Sequence, residues 1–126
     1  MRSRPEATVR SFLDAIVASD TRAAVALFAP DAVYHERAWH DPVVGTEAIA
    51  AEFDRQAGIF ADFSYEIRSM LATESVVFTE RIDSMTIAGT PVSLHWASVA
   101  ELDADGRITA MRDYYDIEEL KSQLAL

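Results

Sequence analysis

The residues best suited to chemistry form two clusters, Thr79-Glu80-Arg81-Ile82-Asp83 and Met111-Arg112-Asp113-Tyr114-Tyr115-Asp116. Each ends a run whose alternating polarity predicts a β-strand, and successive strand side chains point to opposite faces. Arg81 and Asp83 therefore share a face with Val77 and Met85, and Asp113 shares one with Met111 and Tyr115. The apolar neighbours turn these faces inward and carry two carboxylates and one guanidinium with them. Such groups are costly in an apolar interior unless they pair. Two neighbouring carboxylates rarely ionise together, so the pair divides into a proton acceptor and a proton donor. Taken alone, Arg81–Asp83 reads as an in-sheet ion pair; with Asp113 the set reads as a site. The chemistry it suits is general acid–base catalysis that needs no metal and no cofactor.

Composition narrows the partners. The 126 residues are enough for one domain, taken as 1–126, with a real core. A net charge of -10 argues against nucleic acid, whose recognition rests on Lys and Arg. With no cysteine there are no disulfides and no thiolate chemistry, and His35, His40 and His95 do not space as metal ligands. No apolar run approaches the roughly 20 residues of a membrane span, and Met1-Arg2-Ser3-Arg4-Pro5 leads into an amphipathic helix. The chain is expected to be cytoplasmic and free of membranes.

The positioning elements read as helices first and strands after. Ser3 and Glu6 have capping-box spacing ahead of a helical stripe of Val9, Phe12, Leu13, Ile16 and Val17. Asp20 caps a second helix over 21–28 that Pro30 stops. A strand over 32–36 follows, then a loop over 37–45, then a helix capped by Thr46, carrying Ile49 and Phe53 and ending near Gly58. Strands are expected over 63–71, 75–87, 91–102 and 107–115, and Asp116 with Glu119 opens a C-terminal helix over 117–124. This is an α+β domain with helices packed on one face of a mostly antiparallel sheet. The other face, with Ser93, His95, Ala97 and Val99, is mixed in polarity and is expected either to be wet or to make a homodimer. Glu80 and Arg112 belong to that face, where a surface salt bridge is the default.

This order of elements resembles the cone-like fold of the nuclear-transport-factor-2-like (SnoaL-like) superfamily: N-terminal helices on a strongly bent sheet with a C-terminal helix. Within it, Arg81-Ile82-Asp83, Arg112-Asp113-Tyr114-Tyr115-Asp116 and Tyr34 resemble the motifs of the limonene-1,2-epoxide hydrolase family. The resemblance implies Asp113 as the base that activates water, Asp83 as the acid, Arg81 bridging them, and Tyr34 orienting the water. Two positions depart from the family: Glu36 stands where an Asn is usual, and Met111 where a Trp is usual. A protonated Glu36 would mimic the Asn as donor and acceptor, whereas an ionised Glu36 would be a second base. Met85, Leu94, Trp96, Met111 and Tyr115 are expected to line the pocket or pack the core. The implied activity is addition of water to an epoxide in a small hydrophobic substrate. An isomerase or cyclase of the ketosteroid-isomerase-like or polyketide-cyclase-like kind, and a non-catalytic small-molecule-binding module, remain open on the same fold.

Overall fold

The computed structural model describes residues 4–124. Four helices and six strands run in the order α1 (Arg4–Val17), α2 (Thr21–Val25), β1 (Phe28–His35), β2 (Val43–Val44), α3 (Thr46–Ile59), β3 (Ala61–Ala72), β4 (Val76–Ile87), β5 (Thr90–Leu102), β6 (Ile108–Tyr115) and α4 (Ile117–Leu124). One sheet holds all six strands in the order β2-β1-β6-β5-β4-β3. Its pairings are antiparallel except β1 beside β6, which is parallel, so the α+β class and the mixed sheet are as expected. β3 slips register between Ala61 and Ser64 and again between Ile67 and Ser69. Such bulges bend a strand and strengthen its twist. Among the described residues no helix is long and apolar enough to cross a membrane.

The strands alternate as their sequence requires. On β4, Val77, Thr79, Arg81, Asp83 and Met85 are buried, while Phe78 and Glu80 are exposed. The helices cover that inner face through their apolar stripe: Val9, Phe12 and Leu13 of α1 and Ile49 and Phe53 of α3 join Phe28, Tyr34, Ile108 and Met111 in one core. At its centre Phe12, Phe28 and Phe53 meet pairwise at ring distances of 5.5–5.8 Å, and Tyr34 meets Phe53 at 5.2 Å and 61°. Tilted and edge contacts of this kind add about 0.5–1.5 kcal/mol each beyond burial. They also fix the Tyr34 ring.

Several boundaries differ from expectation. The second helix ends at Val25, and Phe28 opens β1 instead, because its backbone pairs with Ile108 and its ring completes the aromatic core. Pro30 stops no helix. It lies inside β1 at the register shift between Phe28 and Val33, where its missing N–H costs no ladder bond. The expected loop over 37–45 contains the two-residue strand β2, too short to show an alternation. Thr46 is the first residue of α3 and not its cap; the cap is Gly45 at φ 89°, a conformation costly for a residue with a Cβ. Asp116 caps α4 by accepting from the Glu118 N–H at 2.9 Å. Glu119 does not return the bond, for its carboxylate goes to His95. The capping role of Ser3 lies outside the described residues.

Candidate active site

The inward residues of β1, β4, β5 and β6 meet the inner sides of α1 and α3 around a cavity of ≈ 70 Å³. That is several times the roughly 10–15 Å³ one water needs. Tyr34, Arg81, Asp83 and Asp113 all line it, and each is only 2–6 % exposed. Strand parity brings them together: Asp83 faces Leu94 across the β4–β5 ladder, and Ser98 faces Asp113 across β5–β6. The remaining wall is largely apolar, with Phe12, Leu13 and Ile16 from α1, Phe53 and Ala57 from α3, and Phe60, Phe63, Met85 and Trp96 closing it. The exposed Ser19 and Asp20, with Thr21, form its polar rim between α1 and α2.

Two buried polar groupings face this cavity. In the first, Arg81 grips Asp83 with both arms, Nε to Oδ1 and Nη2 to Oδ2, each at 2.9 Å. Its Nη1 donates to Thr79 Oγ1 at 2.9 Å and Ser98 Oγ at 2.7 Å. Four of its five N–H groups are thus spent inside the fold, which is how a buried guanidinium avoids its desolvation cost. The expected bridge differs in detail. Among the described residues the hydrogen bonds of Arg81 go to Asp83, Thr79 and Ser98, and it acts on Asp113 through its charge.

In the second grouping the Tyr34 hydroxyl donates to Asp113 Oδ2 at 2.7 Å and accepts from Gln56 Nε2 at 3.2 Å. Burial pushes the Asp113 carboxyl up to about 6, against an ordinary 3.8. The Tyr34 hydroxyl, the Arg81 charge and the Trp96 indole N–H hold it back from rising further, while the Asp83 charge adds to the rise. Tyr34 is pushed well above its ordinary value by burial and by the Asp113 charge, so its hydroxyl stays neutral and keeps its proton to donate.

Four residues expected at the site lie elsewhere. β1 ends at His35, and the chain then turns along β6, with the Ala38 N–H bonded to the Asp113 carbonyl. Glu36 is carried with it, and accepts from the Tyr115 hydroxyl at 2.7 Å and lies 3.4 Å from Arg37. It does not line the cavity, and its charge reaches Tyr34 from outside the cavity wall. Tyr115 stacks against Trp96 at 4.2 Å and 7°, and Trp96 presents the cavity wall. Leu94 is buried with Met85 and Val92 under Leu120 and Leu124 of α4. Met111 pairs with Tyr34 across the β1–β6 ladder and packs in the main core.

The sequence reading missed Gln56, Thr79 and Ser98. The parity of Thr79 with Arg81 and Asp83 was a legible signal for the second; nothing in the local pattern marked Gln56.

The profile of the SnoaL-like domain matches residues 9–111. The chain belongs to the SnoaL-like family. Among SnoaL-like relatives, epoxide hydrolase EphG of Mycobacterium tuberculosis is 32% identical over 112 residues, spanning 89% of this chain and 73% of that protein. A steroid Delta-isomerase of Nocardioides simplex is also 32% identical, over 117 residues that span 91% of this chain and 92% of the isomerase. The solved structure of an LEH-like epoxide hydrolase from M. tuberculosis superposes with a TM-score of 0.81 at 30% identity, covering 97% of this chain and 90% of that one. These relatives are enzymes, and they carry two different reactions on one SnoaL-like scaffold.

Proposed function

We propose that this SnoaL-like protein is a cofactor-free epoxide hydrolase acting on a small hydrophobic epoxide. The observation that carries this reading is a buried carboxyl, Asp113, poised near pH 6 in an apolar cavity beside a second acidic group, Asp83, that Arg81 grips with two hydrogen bonds. A base works best when its pKa lies near the working pH, because it is then both ionised and basic. Asp113 takes a proton from a water, and the oxygen of that water attacks one oxirane carbon. For Asp83 to serve as the acid it enters the cycle protonated. As the carbon–oxygen bond breaks, its proton passes to the oxirane oxygen and completes the diol, and the proton gained by Asp113 returns to Asp83 to reset the pair. The fork of Arg81 takes up the charge left on Asp83, so those two hydrogen bonds strengthen as the proton departs. The apolar walls hold the substrate body, and the overall negative charge discourages anions.

A second reading follows from the isomerase relative, which matches at equal identity over nearly its whole length. A carboxylate of this basicity beside a neutral phenol can also move a proton alpha to a carbonyl. One experiment separates the two. A hydrophobic epoxide and a β,γ-unsaturated ketone are offered to the protein without added metal, and the epoxide is expected to turn over to a diol. Its rate should fall below a midpoint near pH 6, and Asp113→Asn should lower it by about 10²–10⁴-fold. Single turnover in ¹⁸O-water should place the label in the diol. Label in an enzyme carboxylate would overturn the mechanism, and turnover of the ketone alone would establish the isomerase.

A further inference from the structure

We propose that Gln56 is a positioning residue: anchored by Glu52, it turns the single hydroxyl proton of Tyr34 onto Asp113. This rests on Asp113 being the base of the reaction proposed above. Glu52 and Gln56 stand four residues apart on α3, hence on one face of the helix. Gln56 Nε2 donates to Glu52 Oε2 at 2.8 Å and to the Tyr34 hydroxyl at 3.2 Å, and Tyr34 donates to Asp113 Oδ2 at 2.7 Å. The far end is clamped as well, since Arg55 reaches Glu52 with Nε to Oε1 at 3.0 Å and Nη2 to Oε2 at 2.7 Å.

The direction of this relay is set from its charged end. An ionised carboxylate only accepts, so Gln56 must offer Glu52 its NH₂ group and not its carbonyl. The same NH₂ faces Tyr34 and occupies a lone pair of the phenol oxygen. A phenol carries one proton, and with Gln56 donating into the oxygen that proton is left to point at Asp113. Burial opposes charge on Glu52, but the hydrogen bonds from Arg55 and Gln56 outweigh it and hold the carboxyl below its ordinary value, so the anchor stays anionic at neutral pH. The groups coupled to Asp113 are Tyr34 from β1, Arg81 and Asp83 from β4, the Trp96 indole from β5 and Tyr115 from β6, while Glu36 acts on Tyr34 and Tyr115. α1 offers the cavity Phe12, Leu13 and Ile16, all apolar. Gln56 is uncharged, so replacing it alters the direction of a hydrogen bond without altering the charge of the site.

The test is a ¹³C titration of carboxyl-labelled aspartates, with Asp113 assigned by its disappearance in Asp113→Asn. Gln56→Leu is expected to raise the Asp113 midpoint by about half a unit to one unit, because its best donor is no longer held in place. Glu52→Gln should shift it the same way by less, since a neutral partner lets the Gln56 amide turn over. In a Tyr34→Phe background Gln56→Leu should move the midpoint by less than about 0.2, the effect having been transmitted through the phenol. The rate should follow: with a one-unit rise, kcat/KM falls roughly tenfold at pH 5 and less than twofold at pH 8. A loss uniform across pH, an unmoved midpoint, or a shift that persists in Tyr34→Phe would each overturn the relay. The titration reads no turnover, so a wild-type protein inert toward epoxides would count against the proposed reaction and not against this assignment.

Discussion

A carboxyl that must ionise inside an apolar wall weakens the fold that holds it. Asp113 binds its proton more tightly in the folded chain, near pH 6, than the ordinary value of 3.8 that holds in the unfolded one. Between those values the folded state carries more protons, so stability falls as pH rises through the window and stays low above it. The difference corresponds to about 3 kcal/mol at most, and the hydrogen bonds from Tyr34 and Trp96 are already included in it. Asp113→Asn keeps the shape and removes the charge. It should therefore be more stable than wild type by about 1–3 kcal/mol at pH 8, with the advantage fading through pH 6 and gone near pH 4. Urea melts at the three pH values measure it. Equal stability of the two proteins at pH 8 would mean that Asp113 is better solvated than the buried geometry requires.

The elements place these groups, and α4 shows how closely. β6 ends its pairing with β5 at Trp96, opposite Tyr115, which leaves the earlier part of β5 without a strand on that side. α4 covers the gap with side chains one turn apart. Glu119 accepts from the His95 N–H at 2.8 Å, and Gln123 both accepts from the Ser93 N–H at 2.8 Å and donates to the Ser93 carbonyl at 2.7 Å. An unpaired edge is thereby satisfied by a helix and not left open to a foreign strand. Replacing Glu119 and Gln123 together by Ala should speed exchange of the Ser93 and His95 amides by tenfold or more, about 1.4 kcal/mol of local protection, while the amides of β4 stay slow. Hydrogen exchange followed by NMR reads this residue by residue. Unchanged exchange at Ser93 and His95 would show that the strand edge is protected by something other than α4.

At the scale of the molecule, the outer sheet face is the unfinished surface. Leu71, Phe78, Val99 and Arg112 form one row across β3, β4, β5 and β6, with Leu71 73% and Phe78 53% exposed, and Tyr114 is 43% exposed in the next row. The expected salt bridge on this face forms with a different partner: Arg112 reaches Glu101 at 2.6 Å, and Glu80 accepts from Ser69. Of the face to which the sequence pointed, Ser93, His95, Ala97 and Val99, the first two bond to the α4 edge cover and Val99 lies in the row of Leu71 and Phe78, so the apolar centre lies nearer β3 and β4. We propose a homodimer through the row of Leu71, Phe78 and Val99. Light scattering at tens of micromolar is expected to give twice the 14.0 kDa chain mass, and Phe78→Glu to give the monomer. A monomeric wild type at that concentration would remove the proposal.

How much was legible depended on whether a signal was local. Alternation alone placed Arg81, Asp83 and Asp113 inward, because strand period is a property of the backbone and survives without knowing the partner strand. Long strands, turn residues and the helix stripe likewise declared the α+β order, and the clusters with Tyr34 pointed to the family. What the chain could not declare was distance across the fold. Glu36 shares parity with Tyr34, yet the strand stops one residue before it and the loop takes its carboxyl to Tyr115. Phe28 looked helical until an aromatic core and a parallel partner, Ile108, claimed it. Gln56 is one polar residue on a helix face, and only the packing of α3 against β1 brings its amide to the Tyr34 hydroxyl. Residue identity decided which groups could do proton chemistry, and tertiary contact decided which of them meet, since a hydrogen bond depends on ångströms that no spacing along the chain encodes.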